Sequence, residues 1–402
     1  MVSRVLYMAI VYTKSKRIES LDTIRGLAAL SVLFGHTMGV FDWPNSLASW
    51  TRFPVVNMLF DGLSGVAMFF VLSGFVLSRP YLAPTPVGQT PRQLFVPTFY
   101  IRRITRIWIP WFCVFCLSAV LRAYLYHPYD TIPPMSEWIG RFWHVPLTLS
   151  SFLRQCAFAL HDPQRLLLPQ DWSLGVELKG SALIPVFLFL VRRHILYLVG
   201  AGVLLFVCLP NAIEPYYVSF VLGVIAARYH DAIEAKMRRL TFASKCGILA
   251  FGILLYQSRL VASHFLAGSL LVDHVVWCIC SIGCVFIITT SVASNRIQRA
   301  LSHGVLVFLG KISYSVYLLQ LVVLLCVLPP LVYGLNRVGI QNTLVLMPLA
   351  NCIAVLLTVA TAAFTYRIVE LPSIEFGHWI STFIQRRFLK TPKTPKLPKP
   401  AV

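Results

Sequence analysis

Long apolar runs recur along the whole chain and constrain its fold more than any other feature. A helix that crosses the hydrocarbon core of a bilayer needs about 20 mostly apolar residues. All but one of the runs come close to that length or exceed it; they cover residues 21–41, 58–78, 107–126, 181–192, 194–210, 213–229, 246–262, 270–292, 304–328 and 343–367. The sequence therefore predicts an all-α fold, a polytopic transmembrane bundle of about ten helices.

The composition excludes the other broad classes. Of the 402 residues, 57% are hydrophobic and only 12% are charged, whereas about 25% are charged in an ordinary soluble protein. A soluble globule of this size could not bury so much apolar surface. A disordered chain needs low hydrophobicity and high charge density instead.

The net charge of +20 predicts an orientation in the membrane. Cytoplasmic loops carry an excess of lysine and arginine, and the basic clusters fall on one side of the bilayer if both termini are cytoplasmic. The clusters are residues 14–17, 79–106, 192–193, 228–239, 296–299 and 386–393. The long loop 127–180 is the exception. We assign this positive charge to anionic lipid rather than to nucleic acid.

We divide the chain into three predicted segments. Residues 1–20 form a cytoplasmic N-terminal segment, residues 21–372 form the membrane domain, and residues 373–402 form a basic cytoplasmic tail rich in proline and lysine. Histidines and cysteines do not pair at metal-ligand spacing, and Cys113-x-x-Cys116 has no second pair. The sequence therefore predicts no metal site.

The first apolar run carries charged side chains that are costly inside a membrane and are functional candidates by default. Arg25 and His36 are eleven residues apart, about three helical turns, so both lie on the same face. Asp22 lies one turn before Arg25 on that face. A structural Asp–Arg pair with a hydrogen-bonded histidine explains this spacing as well as a functional site does.

Polar side chains also interrupt the second and third runs. Ser73 precedes Gly74, which permits close helix approach in a membrane. Arg106 shares a helix face with both Arg102 and Arg103. Guanidinium forks suit phosphate or carboxylate, although composition alone favours membrane anchoring for these arginines.

Carboxylates stand close to three other runs. Asp171 and Glu177 lie in the stretch DWSLGVE, which enters the fourth run from the side where His36 is expected. A histidine with a carboxylate nearby is the usual equipment of general base catalysis on a hydroxyl. Lys311 and Glu370 lie at the inner ends of runs nine and ten, where a helix end beside lipid headgroups explains them equally well.

Six short blocks occur in a fixed order: LDTIRGLAALSVLFGH, FFVLSGFVLS, RRITRIWIP, DWSLGVELKG, LGKISYSVYLLQ and YRIVELP. In that order and spacing they resemble the acyltransferase-3 family of integral membrane O-acyltransferases, the type that modifies surface polysaccharides. The resemblance runs from about Ser20 to Pro372. Each block alone is weakly specific, whereas six in order, with an Arg-x10-His in the first, are specific.

The resemblance implies transfer of an acyl group, commonly acetyl, from a cytoplasmic coenzyme A thioester. The implied acceptor is a hydroxyl of a sugar, glycan or lipid-linked saccharide. It also implies residence in a bacterial cytoplasmic (inner) membrane and no permanently bound cofactor. The family's important positions match these residues of the present chain: Arg25, His36, Arg103, Arg106, Glu177 and Glu370.

The chain departs from the family pattern in three places. Leu178 stands where a second glutamate is often found, and Lys179-Gly180 stand where aromatic residues are usual. Gln320 occupies a position that is frequently histidine. A shared acid–base role for Leu178 and Gln320 is therefore in doubt.

The sequence hypothesis combines a basic donor site at the inner side of the membrane with His36 nearer the outer side. Arg25, Arg103, Arg106 and Lys311 would bind the phosphates of the acyl-coenzyme A donor, and His36 would act as catalytic base or carry the acyl group. Glu177 or Asp171 would orient His36 or bind sugar hydroxyls. Trp172 and Ser73 are assigned as substrate-binding residues, although a membrane-interface role is equally open for Trp172. Asp22 and Glu370 are assigned as charge partners.

Two rival functions remain open at this point. A transporter or flippase for a saccharide or small anion also fits ten spans with buried charges, although the sequence has no repeated pair of broken helices. A structural subunit of a glycan-assembly complex leaves Arg25 and His36 unexplained. The sequence does not predict the oligomeric state.

Overall fold

The computed structural model describes residues 18–83, 94–125, 134–143, 146–156, 167–207, 215–265 and 270–388, and these are almost entirely helical. The described residues contain no β-strand, and their β pairing is an isolated bridge between Phe41 and Met135.

Eleven long helices make up most of the described chain. They are α1 (Glu19–Val40), α2 (Gly62–Leu82), α3 (Val96–Leu125), α4 (Asp171–Arg193), α5 (Ile195–Val207), α6 (Tyr216–Arg238), α7 (Phe242–Tyr256), α8 (Leu270–Ala293), α9 (Gly304–Arg337), α10 (Thr343–Thr365) and α11 (Leu371–Phe388). Short helices lie between them at Asn45–Ala48, Ser49–Arg52 (3₁₀), Pro54–Asn57, Glu137–Gly140, Leu149–Cys156, Ser258–Phe265 and Asn295–Leu301.

Each of the ten apolar runs carries a helix, so the predicted all-α bundle is confirmed. Among the described residues, six helical segments are long and apolar enough to cross a membrane: Gly62–Leu82, Val96–Leu125, Asp171–Arg193, Val272–Ala293, Gly304–Arg337 and Thr343–Arg387. α5 and α7 are apolar but shorter. The number of ten spans and the cytoplasmic placement of both termini stay predictions.

The helix α1, which carries Arg25 and His36, is packed between α2 and α9. Its close contact with α9 depends on Gly26 and Gly310, because a Cβ atom on Gly26 would lie 2.6 Å from the Gly310 backbone nitrogen. Polar side chains are tolerated at membrane depth when they face the interior of a bundle. This crossing therefore holds Arg25, the neighbour of Gly26, against the protein rather than against lipid.

Helix α2 crosses α6 at a second pair of glycines. A Cβ atom on Gly74 would lie 3.0 Å from the Phe220 Cα atom, and one on Gly223 would lie 2.7 Å from the Phe75 nitrogen. The prediction that Gly74 permits close helix approach is confirmed. Because the other side of α2 packs on α1 and α4, this helix lies at the centre of the bundle.

A π-helical turn at Tyr366–Glu370 joins α10 to α11, and α11 packs against α3. π turns inside helices occur frequently at functional sites. Residues 373–388, placed in the basic tail by the sequence analysis, are thus helical in α11. Residues 1–17 and 389–402 lie outside the described residues, and the division into three segments stays a prediction.

Candidate active site

A large cavity lies among α1, α2, α3, α4, α9 and α11, with about 1230 Å³ of empty space including its open side. It extends along α2 from Val66 to Leu77, roughly 16 Å at the helical rise. The charged and histidine side chains that line it are Arg25, Arg102, Arg103, Arg106, Glu177 and His378. Four arginines therefore face one carboxylate in this cavity, which favours an anionic ligand.

Arg103 is fixed to α4 by hydrogen bonds. Its Nη2 atom donates to Glu177 Oε1 and, at 2.7 Å, to Ser181 Oγ. Ser73 on α2 donates to the same Glu177 oxygen at 2.5 Å. The Arg103 and Glu177 side chains are only 13% and 14% exposed, so this network ties α2, α3 and α4 together inside the bundle.

Two polar atoms of this network have no hydrogen-bond partner among the described residues. They are Arg103 Nε and Glu177 Oε2, and both are buried. Buried polar groups in folded proteins nearly always have a partner, which is protein, water or ligand. The unpartnered Arg103 Nε–H can donate a hydrogen bond to a phosphate oxygen. Guanidinium groups suit phosphate because their donors are planar and often bind it through parallel hydrogen bonds.

The two other family-matched charges, Arg25 and Glu370, lie close to Arg106. Arg25 Nη1 is 3.8 Å from Asp22 Oδ1. Glu370, at the end of the π turn, is only 1% exposed and accepts a hydrogen bond from Ser315 Oγ at 2.7 Å. Its charged neighbours are Arg106 and Arg25, so the deep arginines are placed among carboxylates that hold their positions.

Aromatic rings, hydroxyls and aliphatic side chains form the rest of the cavity wall. Ser173 and Tyr317 share a hydrogen bond, and the Tyr314 hydroxyl donates to the Ile107 carbonyl oxygen at 2.6 Å. Phe69 meets the edge of Tyr317, with 6.0 Å between ring centroids. The cavity is therefore amphipathic, because its lining combines arginines with aromatic and aliphatic side chains.

His36 does not line this cavity. It lies roughly 16 Å from Arg25 along α1, and its ring stacks on Trp138 at 5.7 Å between centroids. The side chain of Gln320, from α9, interacts with the imidazole. His36 Nδ1 is buried without a hydrogen-bond partner among the described residues, so the ring keeps a nitrogen available for a proton or a ligand.

Four predicted site residues lie elsewhere than the sequence hypothesis placed them. Glu177 is held by Arg103 and Ser73 rather than by His36. Asp171 is buried and accepts a hydrogen bond from Gln155 Nε2 at 2.9 Å. Trp172 packs on Tyr216, with 5.3 Å between ring centroids. Lys311 is exposed and is not among the residues that line the cavity.

Two basic cavity residues were not selected from the sequence. Composition favours membrane anchoring for Arg102 as it does for Arg103 and Arg106, although the spacing of four residues places Arg102 and Arg106 on one face. His378 was assigned to the tail. The signal that could have found it is the helical spacing of Phe376, Trp379 and Phe383, which predicts a further helix with His378 inside it.

Six described helical segments long and apolar enough to cross a membrane, packed around a basic cavity, indicate the class: an integral membrane protein. The model of the family described as "Acyltransferase domain" matches residues 18–367. The chain belongs to this acyltransferase-3 family.

Curated relatives of the chain include three bacterial proteins. It is 25% identical over 189 residues to Nodulation protein 10 of Rhizobium leguminosarum bv. viciae, covering 44% of this chain and 45% of that protein. It is 26% identical over 187 residues to the peptidoglycan O-acetyltransferase OatA of Listeria monocytogenes, covering 45% and 25%. Against O-acetyltransferase OatA of Staphylococcus aureus, identity is 22% over 407 residues, covering 92% and 59%.

The match thus spans between a quarter and about three fifths of the length of these relatives. No solved structure matches the chain significantly.

Proposed function

We propose that the protein is a membrane O-acyltransferase that moves an acyl group, acetyl in the first instance, from coenzyme A to a carbohydrate hydroxyl. The observation that carries this proposal is the cavity in which four arginines face one carboxylate. Family membership and the O-acetyltransferase relatives support the reaction type. We place the protein in a bacterial cytoplasmic membrane, with the donor arriving from the cytoplasm.

The donor binds in the basic cavity. Arg25, Arg103 and Arg106 contact its diphosphate, because guanidinium groups form charge-assisted, often bidentate hydrogen bonds with phosphate oxygens. Glu177 acts through Arg103, which it holds in place together with Ser73. The rings of Phe69 and Tyr317 line the path of the uncharged pantetheine arm.

His36 handles the proton. The acceptor oxygen attacks the thioester carbonyl, its proton passes to the imidazole, the carbon–sulfur bond breaks, and the leaving sulfur recovers the proton as the thiol of coenzyme A. The arm must therefore cover the roughly 16 Å between the Arg25 and His36 levels of α1. An acyl-imidazole intermediate is the variant of this route.

The acceptor approaches His36 from the side of Trp138. The tryptophan ring stacks on His36 and packs over Gly39, where an added Cβ atom would lie 3.1 Å from the ring. An aromatic face beside the base suits the apolar face of a sugar. The Listeria relative is named for peptidoglycan, and we extend from it only the chemical class, a glycan or a lipid-linked saccharide.

The test uses purified protein in lipid with radiolabelled acetyl-coenzyme A and no acceptor. Wild-type protein should bind the donor saturably and hydrolyse the thioester slowly, whereas His36→Ala should bind it and hydrolyse none. His303→Ala is the matched control, because His303 is exposed outside the cavity. Full activity in His36→Ala would refute the role of the histidine.

An absence of both binding and turnover in the wild-type protein would refute the proposed donor. That result would favour the transporter hypothesis, and flux of saccharides across the same vesicles would then be measured.

A further inference from the structure

The helix α11 contributes one side of the basic cavity. Ile374 and His378, one helical turn apart, line it. Phe376, Trp379 and Phe383 are exposed elsewhere on the same helix. Since His378 is itself exposed and Arg102 is half-buried, His378 marks the open side of the cavity.

Basic side chains meet at this open side. The charged neighbours of His378 are Arg102 and Arg106. Basic groups held together in a partly desolvated site repel one another, and a bound anion removes that repulsion. The geometry therefore favours a dianionic group beside α11.

Arg102 and His378 share Arg106 as a neighbour with the arginine network deeper in the cavity, but they are otherwise distinct from it. Arg102 and Arg103 are consecutive on α3, so their side chains diverge by about 100° around the helix axis. Arg103 is bound to Glu177 and Ser181 on α4, whereas Arg102 lies near His378 on α11. The cavity therefore contains two basic side chains that extend toward different helices, Arg103 toward α4 and Arg102 toward α11.

Coenzyme A also carries two separated anionic groups, the diphosphate and the 3′-phosphate of its ribose. A phosphomonoester holds a charge of about −1.5 to −2 at neutral pH and offers three acceptor oxygens. We propose that Arg102 and His378 form a subsite for this 3′-phosphate, which selects coenzyme A thioesters over shorter donors. The proposal rests on the function proposed above; Arg102 begins the block RRITRIWIP, whereas His378 lies outside the six blocks.

The experiment compares acetyl-coenzyme A with acetyl-3′-dephospho-coenzyme A as donors in lipid-reconstituted protein. We measure kcat/KM for both donors in the wild type, Arg102→Gln, His378→Gln and the control Arg239→Gln, which changes an exposed arginine outside the cavity. The wild type and the control should prefer acetyl-coenzyme A by roughly ten- to hundredfold, the range for a charge-assisted hydrogen bond. In the Arg102 and His378 variants this preference should fall toward one.

A second readout needs only the wild-type protein, so it does not depend on the folding of a variant. Adenosine 3′,5′-bisphosphate should displace acetyl-coenzyme A at least about tenfold better than adenosine 5′-monophosphate. Equal displacement, or equal use of the two donors by the wild type, overturns the subsite while leaving the acyltransferase proposal intact. A failure of the wild type to use either donor overturns both.

Discussion

The ion pair between Arg103 and Glu177 allows a direct test of how the basic cavity is held together. We consider Glu177→Leu, Arg103→Met and the double variant. At an effective dielectric constant of about 20, opposite unit charges 4 Å apart attract by about 4 kcal/mol. Removing one partner of a buried pair destabilises a protein by about 3–5 kcal/mol, because the other charge stays buried without compensation.

The neighbouring charges make the expected loss of unfolding free energy different for the two single variants. Arg25 and Arg106 are charged neighbours of Arg103 or of Glu177, so loss of the carboxylate leaves three mutually repelling arginines. Loss of Arg103 leaves a carboxylate that still has Ser73 as donor and Arg25 as a cation nearby. We therefore expect Glu177→Leu to lower the free energy of unfolding by about 4 kcal/mol and Arg103→Met by about 2 kcal/mol.

The double variant removes both buried charges and should be only about 1 kcal/mol less stable than the wild type, since well-packed apolar replacement of a buried pair is often neutral. Its expected coupling energy is then about 5 kcal/mol, the difference between this loss and the summed single losses of about 6 kcal/mol. Denaturant unfolding in detergent micelles measures the four proteins. Additive single effects, with a coupling below about 0.5 kcal/mol, would refute the pair as a structural unit. Donor binding should stay weak in the double variant despite its restored stability.

Two further pairs of variants separate packing from function. Gly310→Val should lower the free energy of unfolding by at least about 2 kcal/mol, because the added Cβ atom would lie 2.9 Å from the Cβ atom of Asp22. Thermal unfolding measures the loss. Gly247→Val is the control, since a Cβ atom there would meet no atom within 4 Å. Trp138→Ala should lower kcat/KM for the acceptor with the donor KM unchanged. Trp172→Ala should mainly lower the melting temperature. If Trp172→Ala lowered kcat/KM for the acceptor and Trp138→Ala did not, the placement of the acceptor beside Trp138 would be contradicted.

The positions of the helices could be predicted from the sequence because apolar length is a local property. The residues at which the helices begin could not be predicted in this way. The fourth run was predicted to begin at residue 181, but α4 begins at Asp171. The polar stretch before the run is helical because its side chains are satisfied by other helices; Ser173 bonds to Tyr317, and Glu177 bonds to Arg103.

The third helix shows the same limit. The run was predicted from residue 107, whereas α3 begins at Val96 and carries its arginines within the helix. Composition favoured a membrane anchor for these arginines, since such residues near a helix end usually meet lipid headgroups. Their grouping in one cavity depends on α4, α9 and α11, which lie far away in sequence and cannot be placed by local pattern.

The departures from the family pattern have unequal consequences once they are located in the fold. Lys179 is exposed, and Leu178 packs against the apolar core, so neither change enters the cavity. Gln320 is fully buried beside His36. An amide cannot take up a proton at neutral pH, whereas a histidine at this position could. In the proposed reaction His36 must therefore both accept the acceptor's proton and return it to the leaving sulfur, with Gln320 limited to orienting the ring.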